Sequence, residues 1–290
     1  MFTNVLRLWV RTFDYLTPAV ACIYVPRDLP MPPFEDGFLT EPFDDVRAAI
    51  RWRYSEQRTL LLQINRLSVK NQHSLEIHRE DKREVYAAVL FARTLSTTQG
   101  AVHMLERGLV PQARTLLRAA LETLFALTAI ANDPPVVDKL IETYNVERAR
   151  AARNVGLWKD PGLREIAAAE KASGRLRQFL DSSAATISTL TLAQKGGLED
   201  WYRTVYMILS WSVHGTAIDL ERHIVLGGDG DIAEFRNEPE VDNQRSSWEC
   251  AIEVQLKALR ALRKIFPSVD ESAIEPLEAA FQGLAANLKC

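Results

Sequence analysis

From residue 43 onward, apolar positions recur at spacings of three and four, which is the pattern of amphipathic helices. The first such stretch follows Asp44 and Asp45, either of which can cap a helix. Its apolar face is predicted from Val46, Ile50, Tyr54, Leu61 and Ile64. A second helix is predicted over residues 81–107, with an apolar face of Val85, Val89, Ala92, Leu95, Val102 and Leu105.

Prolines and glycines separate the helical patterns that follow. These patterns predict helices at residues 111–131, 135–158, 163–180, 198–220, 246–266 and 272–288. Residues 182–192 fit a short helix or an irregular stretch, and residues 227–243 read as a polar loop. No convincing run alternates apolar and polar positions as a strand would, and we find no internal repeat. The sequence therefore predicts an all-α fold, a multi-helix bundle.

The first 42 residues differ from the rest of the chain. Residues 2–16 have the pattern of an amphipathic helix, and six of the 13 prolines precede residue 43, so that residues 26–42 form an extended connector. The longest uncharged piece, residues 15–26, is too short to span a bilayer. We expect an N-terminal amphipathic arm and connector over residues 1–42, docked on protein rather than on a membrane surface, and a helical bundle domain over residues 43–290.

Composition narrows the class of protein. The 290 residues carry 35 Lys and Arg against 38 Asp and Glu, a net charge of -3, which disfavours a strongly basic nucleic-acid binder but leaves a local basic patch open. The three cysteines, Cys22, Cys250 and Cys290, have neither disulfide nor zinc spacing and fit a reducing, cytoplasmic location. The sequence shows no phosphate-binding loop, dinucleotide fingerprint or nucleophile elbow, so we expect no cofactor and no metal site.

The predicted helix at residues 111–131 contains the most informative stretch. Residues 116–131 are apolar almost all round, and their charged residues are Arg118 and Glu122. Such a helix belongs in the centre of a core. Since a buried charge is costly unless it is paired, we expect Arg118 and Glu122, one turn apart, to pair with each other or with a neighbouring helix.

A second stretch is equally unusual. Residues 204–218 contain no Asp, Glu, Lys or Arg, and His214 is the side chain there that titrates near neutral pH. We expect this helix to face the first, which would bring Ser210 and His214 to Arg118 and Glu122. The candidate catalytic residues are thus His214, Arg118, Glu122 and Ser210. The candidate substrate-binding residues are Tyr144, Asn145, Arg148 and Tyr206.

This polar group has two interpretations. It can be a satisfied network that fixes the register of two helices. It can also be a ligand-binding or catalytic site, because histidine, arginine and a carboxylate in a cleft provide general acid–base chemistry.

Two runs of this sequence resemble a family of uncharacterised, mostly bacterial helical proteins. One is residues 107–122, RGLVPQARTLLRAALE, which ends in Arg-x-x-x-Glu, and the other is residues 206–214, YMILSWSVH. The resemblance covers residues 85–220 and implies a helical fold more than a function.

More distantly, the helical pattern and the late histidine look like the HEPN superfamily of prokaryotic toxin and abortive-infection ribonucleases, which carry an arginine a few residues before the histidine. Here the nearest preceding arginine, Arg203, is eleven residues before His214, or about 16 Å along a helix axis. The resemblance therefore implies that Arg118 would stabilise the phosphorane charge, with His214 as general acid–base and Ser210 and Glu122 orienting them.

Two functions follow from these interpretations. The first is a helical interaction or sensor module, expected to be a homo-oligomer or to bind a protein partner. The alternative is a metal-independent ribonuclease of the toxin or phage-defence type, with RNA as its substrate.

Overall fold

The computed structural model describes residues 43–155, 160–162, 164–165, 168, 186–214, 219, 221–226, 232–235 and 238–286. The arm and connector predicted at residues 1–42 lie outside the described residues, as does most of the helix predicted at residues 163–180.

The described part of the chain is built mainly from helices. Its first half contains α1 (Asp44–Arg53), α2 (Ser55–Ser74), α3 (Lys82–Leu105), α4 (Val110–Asn132) and α5 (Val136–Val155). Its second half begins with α6 (Thr189–Lys195), α7 (Glu199–Trp201), a π-helical segment (Tyr202–Tyr206) and α8 (Met207–His214). A short 3-10 helix (Glu221–His223), strands β1 (Ile224–Leu226) and β2 (Ile232–Phe235), and helices α9 (Arg245–Ile265) and α10 (Glu275–Ala286) follow. The predicted all-α multi-helix bundle is confirmed.

Helix α4 lies at the centre of the bundle, as its nearly all-apolar pattern indicates. It packs against α3, α9, α6 and α8. Leu117, Leu121, Leu124 and Leu127 are fully buried among these neighbours. By length and composition α4 could also cross a membrane, but 56% of its most apolar window is buried within the bundle, which is the position of a core helix.

The first predicted helix is divided in the structure. α1 ends at Arg53 and α2 begins at Ser55, and Tyr54 between them stacks on Trp248 of α9 with ring centroids 6.2 Å apart. The Tyr54 hydroxyl also accepts a hydrogen bond from the Gln244 backbone N–H at 3.1 Å. The five apolar positions predicted for this stretch are all buried.

The buried face of α3 differs from the predicted one, because Val89 is 63% exposed. Thr94 and Thr98 occupy the core instead, where their hydroxyls donate to the carbonyls of the residues four positions earlier. Since these bonds satisfy the hydroxyls, the two threonines can be buried at little cost. Thr94 also shares a hydrogen bond of 2.7 Å with Thr123 of α4.

One short hairpin in the structure has no strand pattern in the sequence. β1 and β2 pair antiparallel, with Ile224 opposite Phe235 and Val225 opposite Glu234. Strands of three and four residues are too short to show a reliable alternation in the sequence. The second of them lies inside the segment predicted to be a polar loop.

Candidate functional site

Helix α8 packs against α4, so the two apolar helices that we expect from the sequence to face each other are in contact. Arg118 of α4 reaches across this contact. Its Nε donates to Ser210 Oγ at 3.0 Å, and its Nη2 donates to the Tyr206 hydroxyl at 2.7 Å. One arginine of the central helix therefore binds the end of the π-helical segment and the next turn of α8.

The Tyr206 hydroxyl is the centre of the group. It accepts the hydrogen bond from Arg118 and donates its own proton to Glu122 Oε1 at 2.7 Å. Glu122 also lies 3.3 Å from Arg118 Nη2, which is the one-turn ion pair expected from the sequence. Ser210 completes the set by donating to the Tyr206 backbone carbonyl at 2.7 Å. We call Arg118, Glu122, Tyr206 and Ser210 the interhelical network.

The Tyr206 phenol stays protonated in this setting. Burial, and after it the Glu122 carboxylate, raises the pKa of Tyr206 to about 12, while the Arg118 guanidinium acts in the opposite direction. At neutral pH the hydroxyl is therefore a donor to Glu122 and an acceptor for Arg118, as the geometry requires.

Aromatic rings support the same residues. The Arg118 guanidinium carbon lies 4.8 Å from the centroid of the Tyr206 ring, within cation–π distance. Tyr202 stacks on Tyr206 at 5.0 Å, and Phe125 of α4 meets Tyr206 edge-on at 5.9 Å. The tyrosines are the first and last residues of the π-helical segment, a rare element often found at functional sites.

The interhelical network lies at the border of the core. The Tyr206 residue is buried, whereas the Arg118 side chain is 22% exposed and the Glu122 side chain 41% exposed. Solvent therefore reaches the network from the Glu122 side, so its charges are partly hydrated and its ion pair is weaker than a fully buried one.

His214 lies apart from these bonds. It is the last residue of α8, one turn after Ser210, and its side chain is exposed. Within the described residues, the recorded partners of Arg118 are Glu122, Tyr206 and Ser210, and His214 is not among them. The structure thus places His214 on the same helix as Ser210 but outside the hydrogen bonds of the interhelical network.

The α5 candidates also lie outside the recorded bonds of Arg118. Arg148 covers the Tyr144 ring at 5.1 Å, both side chains are exposed, and Asn145 is half-buried. In the described part of the chain, α5 packs on α3 and α4.

From the sequence, Tyr206 is predicted only as a substrate-binding candidate, and Tyr202 and Phe125 are not among the candidate site residues. A signal for Tyr206 was present, because Tyr206 precedes Ser210 by four residues and so shares its helix face. Among the described residues, no three or more His, Cys, Asp or Glu side chains lie together as a metal ion would require.

A model of a protein family matches this chain over residues 84–231, which is 148 of its 290 residues and includes all four residues of the network. The family is described as one of unknown function. This match confirms the expected kinship with an uncharacterised family, while the HEPN resemblance stays a prediction. Comparisons with curated proteins and with solved structures gave no match.

Proposed function

Because this chain belongs to that family, DUF5677, whose function is unknown, we propose a function from the site itself: a helical interaction or sensor module. In it, the interhelical network holds α8 against α4 so that α8 presents a defined outer surface. The observation that carries the proposal is the Tyr206 hydroxyl, which binds Arg118 and Glu122 at once.

The hydrogen bonds favour a structural role because donors of the interhelical network are paired with acceptors of the same network. Arg118 donates through Nε to Ser210 and through Nη2 to Tyr206, and the Tyr206 hydroxyl donates a hydrogen bond to Glu122. A phosphate bound through these two nitrogens would compete with Ser210 and Tyr206, and any phosphate on Arg118 would lie near the Glu122 carboxylate. That competition disfavours Arg118 as a stabiliser of phosphorane charge.

We assign the exposed apolar side chains of α8 to a partner, and the partner that we propose is a second copy of this chain. Met207 is 47% exposed and Val213 is 37% exposed on this helix. Apolar side chains exposed on one short helix favour contact with another protein surface. The proposed location is the cytoplasm.

Light scattering coupled to size-exclusion chromatography tests this proposal. The wild-type protein is expected to elute as an oligomer, and the double variant Met207→Glu, Val213→Glu as a monomer. Val89→Glu is the matched control, since Val89 is exposed on α3 and not on α8. A monomeric wild type, or a double variant that keeps the wild-type mass, would contradict the proposed partner.

One observation favours the ribonuclease as a second candidate. His214 is exposed at the end of α8, one turn from a serine that contacts Arg118, and is therefore accessible to an RNA substrate. In this alternative His214 acts as general acid–base, Arg118 stabilises the phosphorane, and Ser210 and Glu122 orient them.

Growth on overexpression, with total RNA examined on a gel, tests the second candidate. The ribonuclease hypothesis expects wild-type protein to degrade RNA and slow growth, His214→Ala to do neither, and His103→Ala, at another exposed histidine, to behave as wild type. A folded His214→Ala variant that matches wild type in both measurements excludes the hypothesis.

A further inference from the structure

Exposed arginines lie along α2 and α3. Residues 57–75 and 85–105, which form most of these two helices, contain no Asp or Glu, although the whole chain has a net charge of -3. Arg66 of α2, Arg93 of α3 and Arg107, which follows the end of α3, are all exposed. We call these three residues the arginine ridge. It is a local basic patch on a chain that is acidic overall.

Two side-chain contacts show how α2 and α3 lie beside each other. Arg58 Nε donates to Glu106 at 2.6 Å, and the Gln99 amide donates to Asn65 at 2.9 Å. From the first contact to the second, the chain advances seven residues on α2 and goes back seven on the α3 side. The two helices are therefore antiparallel and in register.

This register places Arg66 between the other two arginines of the ridge. Arg66 follows Asn65 directly, so it lies beside the turn of α3 that contains Gln99. That turn lies between Arg93 and Arg107, which are about 20 Å apart along the α3 axis. The arginine ridge is thus long and narrow, which suits an extended polyanion.

The charges of the arginine ridge are not neutralised within the described part of the chain. There, Arg66 and Arg93 lie within ion-pair distance of no carboxylate. The Arg107 guanidinium donates to the backbone carbonyl of His103 at 3.4 Å, which leaves its charge uncompensated by a carboxylate. Guanidinium groups in this state are available to bind phosphates through their N–H donors.

An exposed tryptophan lies at the Arg107 end of the ridge. Trp52 of α1 is 82% exposed, although tryptophan is highly buried on average. Its neighbour Arg51 donates to Glu106 at 2.9 Å, so this part of α1 is held beside the end of α3. Glu106 is bound by Arg58 as well, and two guanidiniums on one carboxylate leave this end of the surface basic.

We propose that this surface binds single-stranded nucleic acid, with the arginine ridge on the phosphate backbone and Trp52 stacked on a base. Proteins that bind single strands combine a positively charged path for the backbone with aromatic side chains that stack on bases. In a duplex the bases are stacked on one another, so Trp52 finds no free base face there. A single strand is the form of nucleic acid that uses both features.

An acidic protein segment fits this surface less well. The exposed large hydrophobic side chains of α2 and α3 are Leu62 and Val89. Each precedes its helix's member of the Asn65–Gln99 contact, so in antiparallel helices they lie on opposite sides of it. Protein interfaces are built around a continuous apolar centre, whereas contacts to phosphates need none.

This inference goes beyond the proposed interaction module, because it concerns α1, α2 and α3 and not α8. The module is tested by the mass of the oligomer and this surface by the binding of a strand. Either proposal can therefore fail without the other.

Fluorescence anisotropy on the full chain, with labelled oligo-dT and oligo-U strands of about 12 nucleotides, tests the surface. We expect both strands to bind at low salt and to dissociate as the salt concentration rises, because bound phosphates release counterions. Arg66→Gln and Arg93→Gln should each weaken binding about threefold or more and reduce the slope of log affinity against log salt by about 0.7. Arg150→Gln, at an exposed arginine of α5, is the matched control and should bind as wild type.

Trp52→Ala should weaken binding about fivefold or more, because the stacked base loses its platform. Trp52→Phe keeps an aromatic face and should stay within about twofold of wild type. Since Trp52 is exposed, both variants are expected to fold. The difference between alanine and phenylalanine separates stacking from a general effect of the substitution.

Absence of binding to both strands at low salt overturns the proposal. Equal weakening in Arg93→Gln and Arg150→Gln also overturns it, as does a Trp52→Ala variant that binds as wild type. A duplex of the same length that binds more tightly than the strands contradicts a single-stranded partner. Polyglutamate that displaces the labelled strand as effectively as unlabelled oligo-dT would assign the surface to an acidic protein instead.

Discussion

Two stretches of α4 carry polar side chains in different ways. Around Arg118 and Glu122, donors and acceptors from α4 and α8 pair with one another, and Tyr206 joins them. At the C-terminal end of α4, Lys264 of α9 donates to the Asn132 amide oxygen from an exposed position, and Arg260 of α9 is paired with Glu271 and Glu278. A network that joins partly buried groups of two helices contributes to stability, whereas exposed polar contacts contribute little.

This difference predicts that substitutions in the first stretch reduce stability and that lysine substitutions in the second leave it nearly unchanged. The following variants test that contrast.

Arg118→Ala is expected to have the largest effect. It removes two hydrogen bonds and an ion pair and leaves the Tyr206 hydroxyl without its donor, so we expect the free energy of unfolding to fall by about 2–3 kcal/mol in urea denaturation. Arg203→Ala removes an ion pair of the same spacing, with Glu199, whose side chains are more exposed on average. It should cost far less, and equal losses in the two variants would contradict a special role for Arg118.

Gly196→Ala comes next, because the added methyl group would meet the Thr128 side chain and force the turn between α6 and α7 away from α4. Overpacking of this kind should lower the free energy of unfolding by about 2 kcal/mol. The control is Gly283→Ala on α10, where a Cβ meets nothing within 4 Å and should stabilise the helix by about 0.5–1 kcal/mol. Similar effects of both alanines would show that the turn does not pack as described.

Tyr206→Phe should cost about 1 kcal/mol at neutral pH, since the ring stays and the hydroxyl is lost. The raised pKa of Tyr206 sets the pH dependence of this loss. The stabilising hydroxyl is fully protonated below about pH 10, the ordinary pKa of tyrosine, and loses its proton as the pH rises through about 12.

The stability advantage of wild type over Tyr206→Phe should therefore be constant below about pH 10 and shrink above it. Urea denaturation at a series of pH values measures it. An advantage that grows above pH 10 would show that the ionised form is the one the fold prefers.

Lys264→Gln is expected to have the smallest effect on stability, within about 0.5 kcal/mol, because the side chain is exposed and Arg83 already binds the last carbonyls of α4. The same denaturation measurement checks it. A loss above about 1 kcal/mol would indicate that Lys264 stabilises the end of α4.

The sequence was sufficient for the central position of α4 and for the Arg118–Glu122 pair, because nearly uniform apolarity and one-turn spacing determine both. The sequence did not predict that the Tyr206 hydroxyl lies at the centre of the interhelical network. A prediction that assumes α-helical spacing cannot anticipate a π-helical segment, and this segment sets how Tyr202 and Tyr206 stack.

The close packing of the turn between α6 and α7 on α4 was also missed, for a different reason. Thr128 and Gly196 are far apart in the chain, and their approach depends on how α6 packs on α4. The exposure of Val89 was missed for the same reason, because packing against neighbouring helices determines which side of α3 faces the core.

A double-mutant cycle between Arg118→Ala and Tyr206→Phe tests the central claim most directly, that these residues stabilise the contact of α4 with α8 as one unit. The free energies of unfolding of wild type, both single variants and the double variant give their coupling energy. We predict a favourable coupling of about 1 kcal/mol. Additive losses, with a coupling near zero, would contradict the interhelical network.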